Sequence, residues 1–332
     1  MAPKRKATSS SLSSNGYTRL SFTEFCAARQ RILEARRAGL SRDKWTTDPV
    51  LQEGRFCNID RRDDFVTNEL LEELRMRKAW SVRERVLLCA ALRFTGSRRG
   101  EVASMAALID AGREQPSSAA RDGKAKAPLS PLCQALVAGE VRCGSGTYQL
   151  SLNRAQVASV IETMAQAVVT RVEAGGPFAD VLEASDCVAE LMTVGKRPQF
   201  SANETAKDLA YVEGLMKKTS AHRCRLGPGA RKGLSLVRAL QPAEYASPGL
   251  SDEAAIERLR AAMKEEECLD WVEAIDVEQA LCEALWKVGA LTGKEEGELK
   301  ALFVRHLMSR DVDPRIDDAV CKTMERYKRG RC

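Results

Sequence analysis

Carboxylates, an amide and arginines crowd three short stretches of this 332-residue chain. The first joins residues 45–51 (WTTDPVL) to residues 54–67 (GRFCNIDRRDDFVT) and holds Asp48, Arg55, Asn58, Arg61, Arg62, Asp63 and Asp64. It has no helical or strand period. Asn58 can offer a donor and an acceptor to a base edge, and arginine can fork onto phosphate. The plainer reading is that Asp63 or Asp64 caps the next helix while the arginines are solvated. The second stretch is residues 191–202 (LMTVGKRPQFSA), followed by Lys207, Asp208 and Leu209. An apolar helix end, a glycine turn at Gly195 and a new helix look like a helix–hairpin–helix, whose turn aims backbone N–H groups at a DNA phosphate. Asp208 falls about two turns into that second helix, where a carboxylate could support an electron-poor centre. An ordinary αα-hairpin with Asp208 in a salt bridge is the alternative. In the third, residues 226–234 (LGPGARKGL), Gly227 and Gly229 allow a tight turn that opens a helix, and Arg231 and Lys232 add cationic donors. This is a phosphate cradle, or simply a helix start with an exposed basic first turn. It is not a Walker loop, because GxxxxGK[ST] occurs nowhere in the chain.

The elements that position these stretches read as helices. Phe22, Phe25, Cys26, Ile32 and Leu33 recur at helical spacing, and Arg36, Arg37 and Gly39 end that segment. Residues 64–111 read as three short helices. Asn153 is placed to cap a long helix whose Val157, Val160, Ile161, Met164, Val168 and Val172 share a face. Gly175, Gly176 and Pro177 stop it. Residues 112–130 are polar and low in apolar content and read as a mobile loop. Residues 141–152 read as a small hairpin or an ordered loop. The expected architecture is all-α, with a basic, Ser-rich arm over 1–20, a helical body over 21–310, and a C-terminal helix and basic tail over 311–332.

Composition narrows the function classes. No apolar run approaches the roughly 18–20 residues that span a bilayer, and residues 1–20 lack the apolar core of a secretory signal. Only His222 and His306 are present, and the 11 cysteines show no CxxC spacing, so no metal is expected and the thiols read as reduced. No cofactor is expected either. The net charge of +6 is unevenly placed. Residues 1–44 carry 10 Lys/Arg against 3 Asp/Glu, whereas the other 288 carry 42 against 43. The excess therefore belongs to the arm and the first helix. With the basic cluster Pro3, Lys4, Arg5 and Lys6, it points to nucleic acid and to nuclear import; a tail that only confers solubility is the alternative.

The three stretches, in this order, resemble one family: the helical domain of the 5-hydroxymethyl-deoxyuridine DNA kinases and the related α-glutamyl/putrescinyl-thymine pyrophosphorylases. The residues that carry the resemblance begin with Trp45, Asp48, Pro49, Leu51, Arg55, Phe56, Cys57, Asn58, Arg61, Asp63, Asp64, Val66 and Thr67. They continue with Phe200, Ala202, Asp208 and Leu209, then Gly227, Pro228, Gly229, Arg231, Gly233 and Leu234. A last run matches at Asp276, Val277, Leu281, Cys282 and Glu283, after which Ala284 to Lys287 depart from the family's F-D-K-Y. The absent P-loop makes the chain similar to a stand-alone, divergent member.

The resemblance implies a DNA-glycosylase-like helical fold and an enzyme acting on modified thymine or 5-hydroxymethyluracil in double-stranded DNA. An amine or amino acid would displace (pyro)phosphate from a base flipped out of the stack. On that reading Asp208, Asp64 and Asp48 are the catalytic carboxylates, and Asn58 with Phe56 binds the base. Arg55, Arg61, Gly227, Gly229, Arg231 and Lys232 hold phosphate, and Glu283 is a further candidate. Glycosylase-like base excision and a non-catalytic DNA-binding helical module are the alternatives.

Overall fold

A computed structural model describes residues 21–47, 51, 58–96, 100–114, 129–143, 152–190, 199–217, 223–240, 250–267 and 269–284. All regular elements among them are helical; the only strand-like contact is a single bridge between Phe178 and Met216. The chain divides into two compact units. One is drawn from Met1–Ile59, Pro228–Val272 and Asp276–Cys332, the other from Asp60–Gly227 and Glu273–Ile275.

The Asp60–Gly227 unit is built around one helix that is buried on almost every side. Its sequence explains why. Helix α2 (Phe65–Met76) leads into α3 (Val82–Thr95), where residues from Val86 to Thr95 are all buried. An apolar run with so little polar relief must be enclosed, and α3 packs chiefly on α6 (Arg154–Gly175) and α8 (Gln199–Leu209). A capping box between Ser81 and Glu84 starts α3, and Gly96, at φ 65°, ends it in the left-handed conformation. Helices α4 (Glu101–Glu114), α5 (Pro131–Ala138) and α7 (Val181–Glu190) complete the layer, with α5 on α6 and α7 on α8. Asn153 caps α6 as its sequence predicts, in a box with Gln156, and Val157, Ile161, Met164 and Val168 are buried. Helix α4 runs to Glu114, into the polar stretch expected to be a loop from residue 112; residues 115–128 lie outside the described residues.

In the other unit, α1 (Phe22–Arg37) starts from a Ser21–Glu24 capping box and buries Phe22, Phe25, Cys26 and Ile32. It packs on α10 (Asp252–Glu267). Helix α9 (Pro228–Leu240) begins with proline in its first turn, where the missing N–H costs nothing. Helix α11 (Ala274–Ala284) lies against it over Leu281 and Cys282. The approach is backbone to backbone. A Cβ on Gly233 would stand 1.9 Å from the Leu281 carbonyl oxygen, and one on Gly229 would stand 3.2 Å from Cys282 Sγ. Only glycine allows the first of these contacts. No helix among the described residues is long and apolar enough to cross a membrane.

Residues 1–20, residues 144–151 of the stretch expected as a hairpin or ordered loop, the turn expected around Gly195, and the C-terminal helix and tail expected over 311–332 lie outside the described residues. So do His222 and His306.

Candidate functional site

An arginine inside the central apolar helix sets the problem that the site solves. Arg93 is buried on α3, and a guanidinium out of water needs carboxylates and hydrogen-bond acceptors around it. Helix α8 supplies the carboxylates. Glu204 and Asp208 are four residues apart and so lie one turn above the other on a single face. Two like charges at that spacing repel unless cations stand between them. Arg93 Nε donates to Asp208 Oδ2 at 2.5 Å and Arg93 Nη2 to Asp208 Oδ1 at 2.9 Å, a two-point pair with a side chain whose exposure is 0%.

The third element is the irregular stretch before α2. A 3-10 turn over Arg61–Asp63 is capped by Asp60, whose carboxylate accepts the Arg62 backbone N–H at 2.8 Å. The same carboxylate takes the Arg62 guanidinium, which stays exposed. The turn thus sends its two arginines in opposite directions. Arg61 turns inward: its Nη2 donates to Asp208 Oδ1 at 3.0 Å and its Nη1 stands 3.0 Å from Glu204 Oε2. Lys207 Nζ, also buried, donates to Glu204 Oε1 at 2.6 Å. Three cations and two carboxylates therefore share one dry site. Burial alone would push the Glu204 carboxyl up, but Lys207, Arg61 and Arg93 outweigh it and hold the group well below the usual carboxylate range. Burial pushes the nearby Cys89 thiol well up, the Asp208 charge adds to this, and Arg93 opposes it.

A branch leads from this cluster toward solvent. Arg93 Nη2 also donates to Thr67 Oγ1 at 3.0 Å, and Thr67 Oγ1 donates to Asp64 Oδ2 at 3.4 Å. Thr67 is fully buried on α2; Asp64 is half-buried. Asp64 occupies the N-cap position of α2, yet its carboxylate makes no capping hydrogen bond. It faces the Thr67 hydroxyl instead.

Residues 18–94 match the family model of the 5-hmdU DNA kinase helical domain. No curated protein and no solved structure matches the chain. The matched segment contains Arg61, Asp64, Thr67 and Arg93, and the carboxylates that meet Arg61 and Arg93 in the cluster come from α8, beyond it.

The structure thus brings Asp64, Arg61 and Asp208 together in one unit. Arg61, expected on phosphate, is buried and engaged by Glu204 and Asp208. Asp208, expected as an acid or base, has both oxygens held by guanidinium groups. The other unit carries Asn58, half-buried, whose backbone carbonyl accepts from Gln279 Nε2 at 2.8 Å. It also carries Gly229, pressed against Cys282, and Arg231, exposed in the first turn of α9. Gly227 directly precedes α9 and is buried. Asp48, Arg55 and Phe56 lie outside the described residues, as do the side chains of Lys232 and Glu283. Among the described residues no group of three or more His, Cys, Asp or Glu could hold a metal ion.

Sequence reasoning did not single out Arg93, Glu204 or Lys207 for the site. Arg93 had a signal, a lone cation in the run VLLCAALRF. Glu204 and Asp208 carried one in their four-residue spacing, but nothing local says which cations they meet.

Proposed function

We propose that this chain engages double-stranded DNA carrying a 5-hydroxymethyluracil-type thymine derivative and acts on that base, flipped from the stack, by transferring an amine or amino acid to it. The match of residues 18–94 to a helical domain of 5-hmdU DNA kinases carries this reading. In the reaction, the amine nitrogen forms a bond to the 5-methylene carbon as the bond from that carbon to the (pyro)phosphate oxygen breaks. The electron pair leaves with the phosphate, and a carboxylate accepts the proton lost by the amine. Asp64 suits that role because part of its surface meets solvent, whereas Asp208 has no exposed surface. The basic arm would serve nuclear import and tethering.

A second reading, a DNA-binding helical module without catalysis, is favoured by the state of Asp208, sealed between Arg61 and Arg93. One experiment separates them. DNA carrying pyrophosphorylated 5-hydroxymethyluracil is incubated with the full chain and a mixture of amines and amino acids, and its nucleosides are then analysed by mass spectrometry. A new nucleoside of amine-adduct mass, absent with Asp64→Asn, supports transfer. Release of free base would identify glycosylase-type excision. Binding of the same DNA, read alongside by gel shift, with no change in the nucleosides would leave the non-catalytic module, and neither binding nor change would overturn both readings.

A further inference from the structure

We infer that Thr67 and Arg93 are positioning residues that fix the Asp64 carboxylate for recognition of the modified base, an inference that rests on the function proposed above. The geometry is a relay with one polarity. A guanidinium can only donate, so Thr67 Oγ1 must accept from Arg93 Nη2 at 3.0 Å. The single hydroxyl proton is then available for one acceptor, and Asp64 Oδ2 at 3.4 Å is the acceptor in line. The relay has a rigid base, because Arg93 is itself held at two points by Asp208. It ends on a carboxylate that has given up its ordinary role, since Asp64 stands at the N-cap of α2 but does not cap it. An aspartate at that position normally stabilises its helix by accepting a backbone N–H. Here the carboxylate is turned to a buried hydroxyl and stays half open to solvent. Asp208 is thereby the fixed end of the device and Asp64 its working end.

The device predicts a set of effects that stability alone would not produce. Thr67→Val keeps the shape of the side chain and removes the relay hydroxyl; Thr67→Ser keeps the hydroxyl. The readout is the ratio of the full chain's Kd values for duplex DNA containing thymine and the same duplex containing 5-hydroxymethyluracil. Loss of a hydrogen bond of ordinary strength costs about three- to tenfold, and that is the change expected in this ratio. Thr67→Val should lose preference by about this factor and Thr67→Ser should regain it. Asp64→Asn should lose as much as Thr67→Val, and the double variant no more than either alone, because all three break one device. A wild-type preference that survives in Thr67→Val overturns the inference and leaves the proposed function standing. A wild-type chain with no preference overturns both. If Thr67→Val does not fold, Asp64→Asn and Thr67→Ser decide: unchanged preference in Asp64→Asn, or preference lost in Thr67→Ser, overturns the relay.

Discussion

Arg93 and Asp208 meet at two points in the centre of their unit, with contacts of 2.5 and 2.9 Å, although 115 residues of chain separate them. Removing Asp208 takes the paired carboxylate from Arg93 and one of two from Arg61, whereas removing Arg93 leaves Asp208 its contact with Arg61. Asp208→Ala should destabilise the protein by about 3–5 kcal/mol and Arg93→Ala by clearly less, read from urea denaturation at neutral pH. The two losses should not add in the double variant, since both truncations remove the same two-point contact. Full additivity would show that the pair is not coupled.

Glu204 gives the site a pH signature. Its folded-state carboxyl is held well below its ordinary value of 4.5 by Lys207, Arg61 and Arg93 against the opposing effect of burial. A depressed folded value means that the ionised group stabilises the fold at pH values above 4.5, and that this contribution drains away as pH falls below it. The gap in unfolding free energy between wild type and Glu204→Gln should therefore be about 1.4 kcal/mol smaller at pH 3.5 than at pH 7. An equal gap at both pH values would contradict the assignment.

The contact between α9 and α11 predicts an asymmetry between two glycines. A methyl group on Gly233 meets a backbone oxygen at 1.9 Å, which can yield only if the helices part. On Gly229 it meets the Cys282 sulfur at 3.2 Å, which a small side-chain shift relieves. Gly233→Ala should cost about 1–3 kcal/mol and Gly229→Ala clearly less, by the same denaturation measurement. Equal effects would mean that the helices separate freely.

Thiol labelling offers a further readout. Burial pushes Cys133 up to about 12, with Glu162 adding to the effect and Ser130 and Arg83 opposing it, and Cys89 also lies well above its ordinary value. Both should resist alkylation at pH 8 in the native protein and react on unfolding. Peptide mass spectrometry after timed iodoacetamide exposure would show this; rapid labelling of Cys133 under native conditions would refute it.

The parts of the fold that were legible in the sequence are those set by local rules. Asn153 followed by a 3.6-residue apolar period announces α6, and Ser21 before the Phe22–Phe25 pattern announces α1. The candidate stretch 54–67 stood out because it lacks any period. What stayed hidden was direction. Nothing in the pair Arg61–Arg62 says that the first turns inward and the second outward, because that is decided by Asp60 on one side and by α8 on the other. Likewise the 227–233 stretch reads as a phosphate cradle from its glycines, while Gly229 and Gly233 serve a helix contact whose partner is found some fifty residues later.

The order in which the cluster is assembled along the chain has a consequence for synthesis. Both arginines of the cluster lie within residues 18–94, and their counter-charges follow only at Glu204 and Asp208. A nascent chain that has emerged as far as α3 carries both guanidinium groups before Glu204 and Asp208 have been made. The ion cluster of this unit is therefore completed only once α8 has left the ribosome.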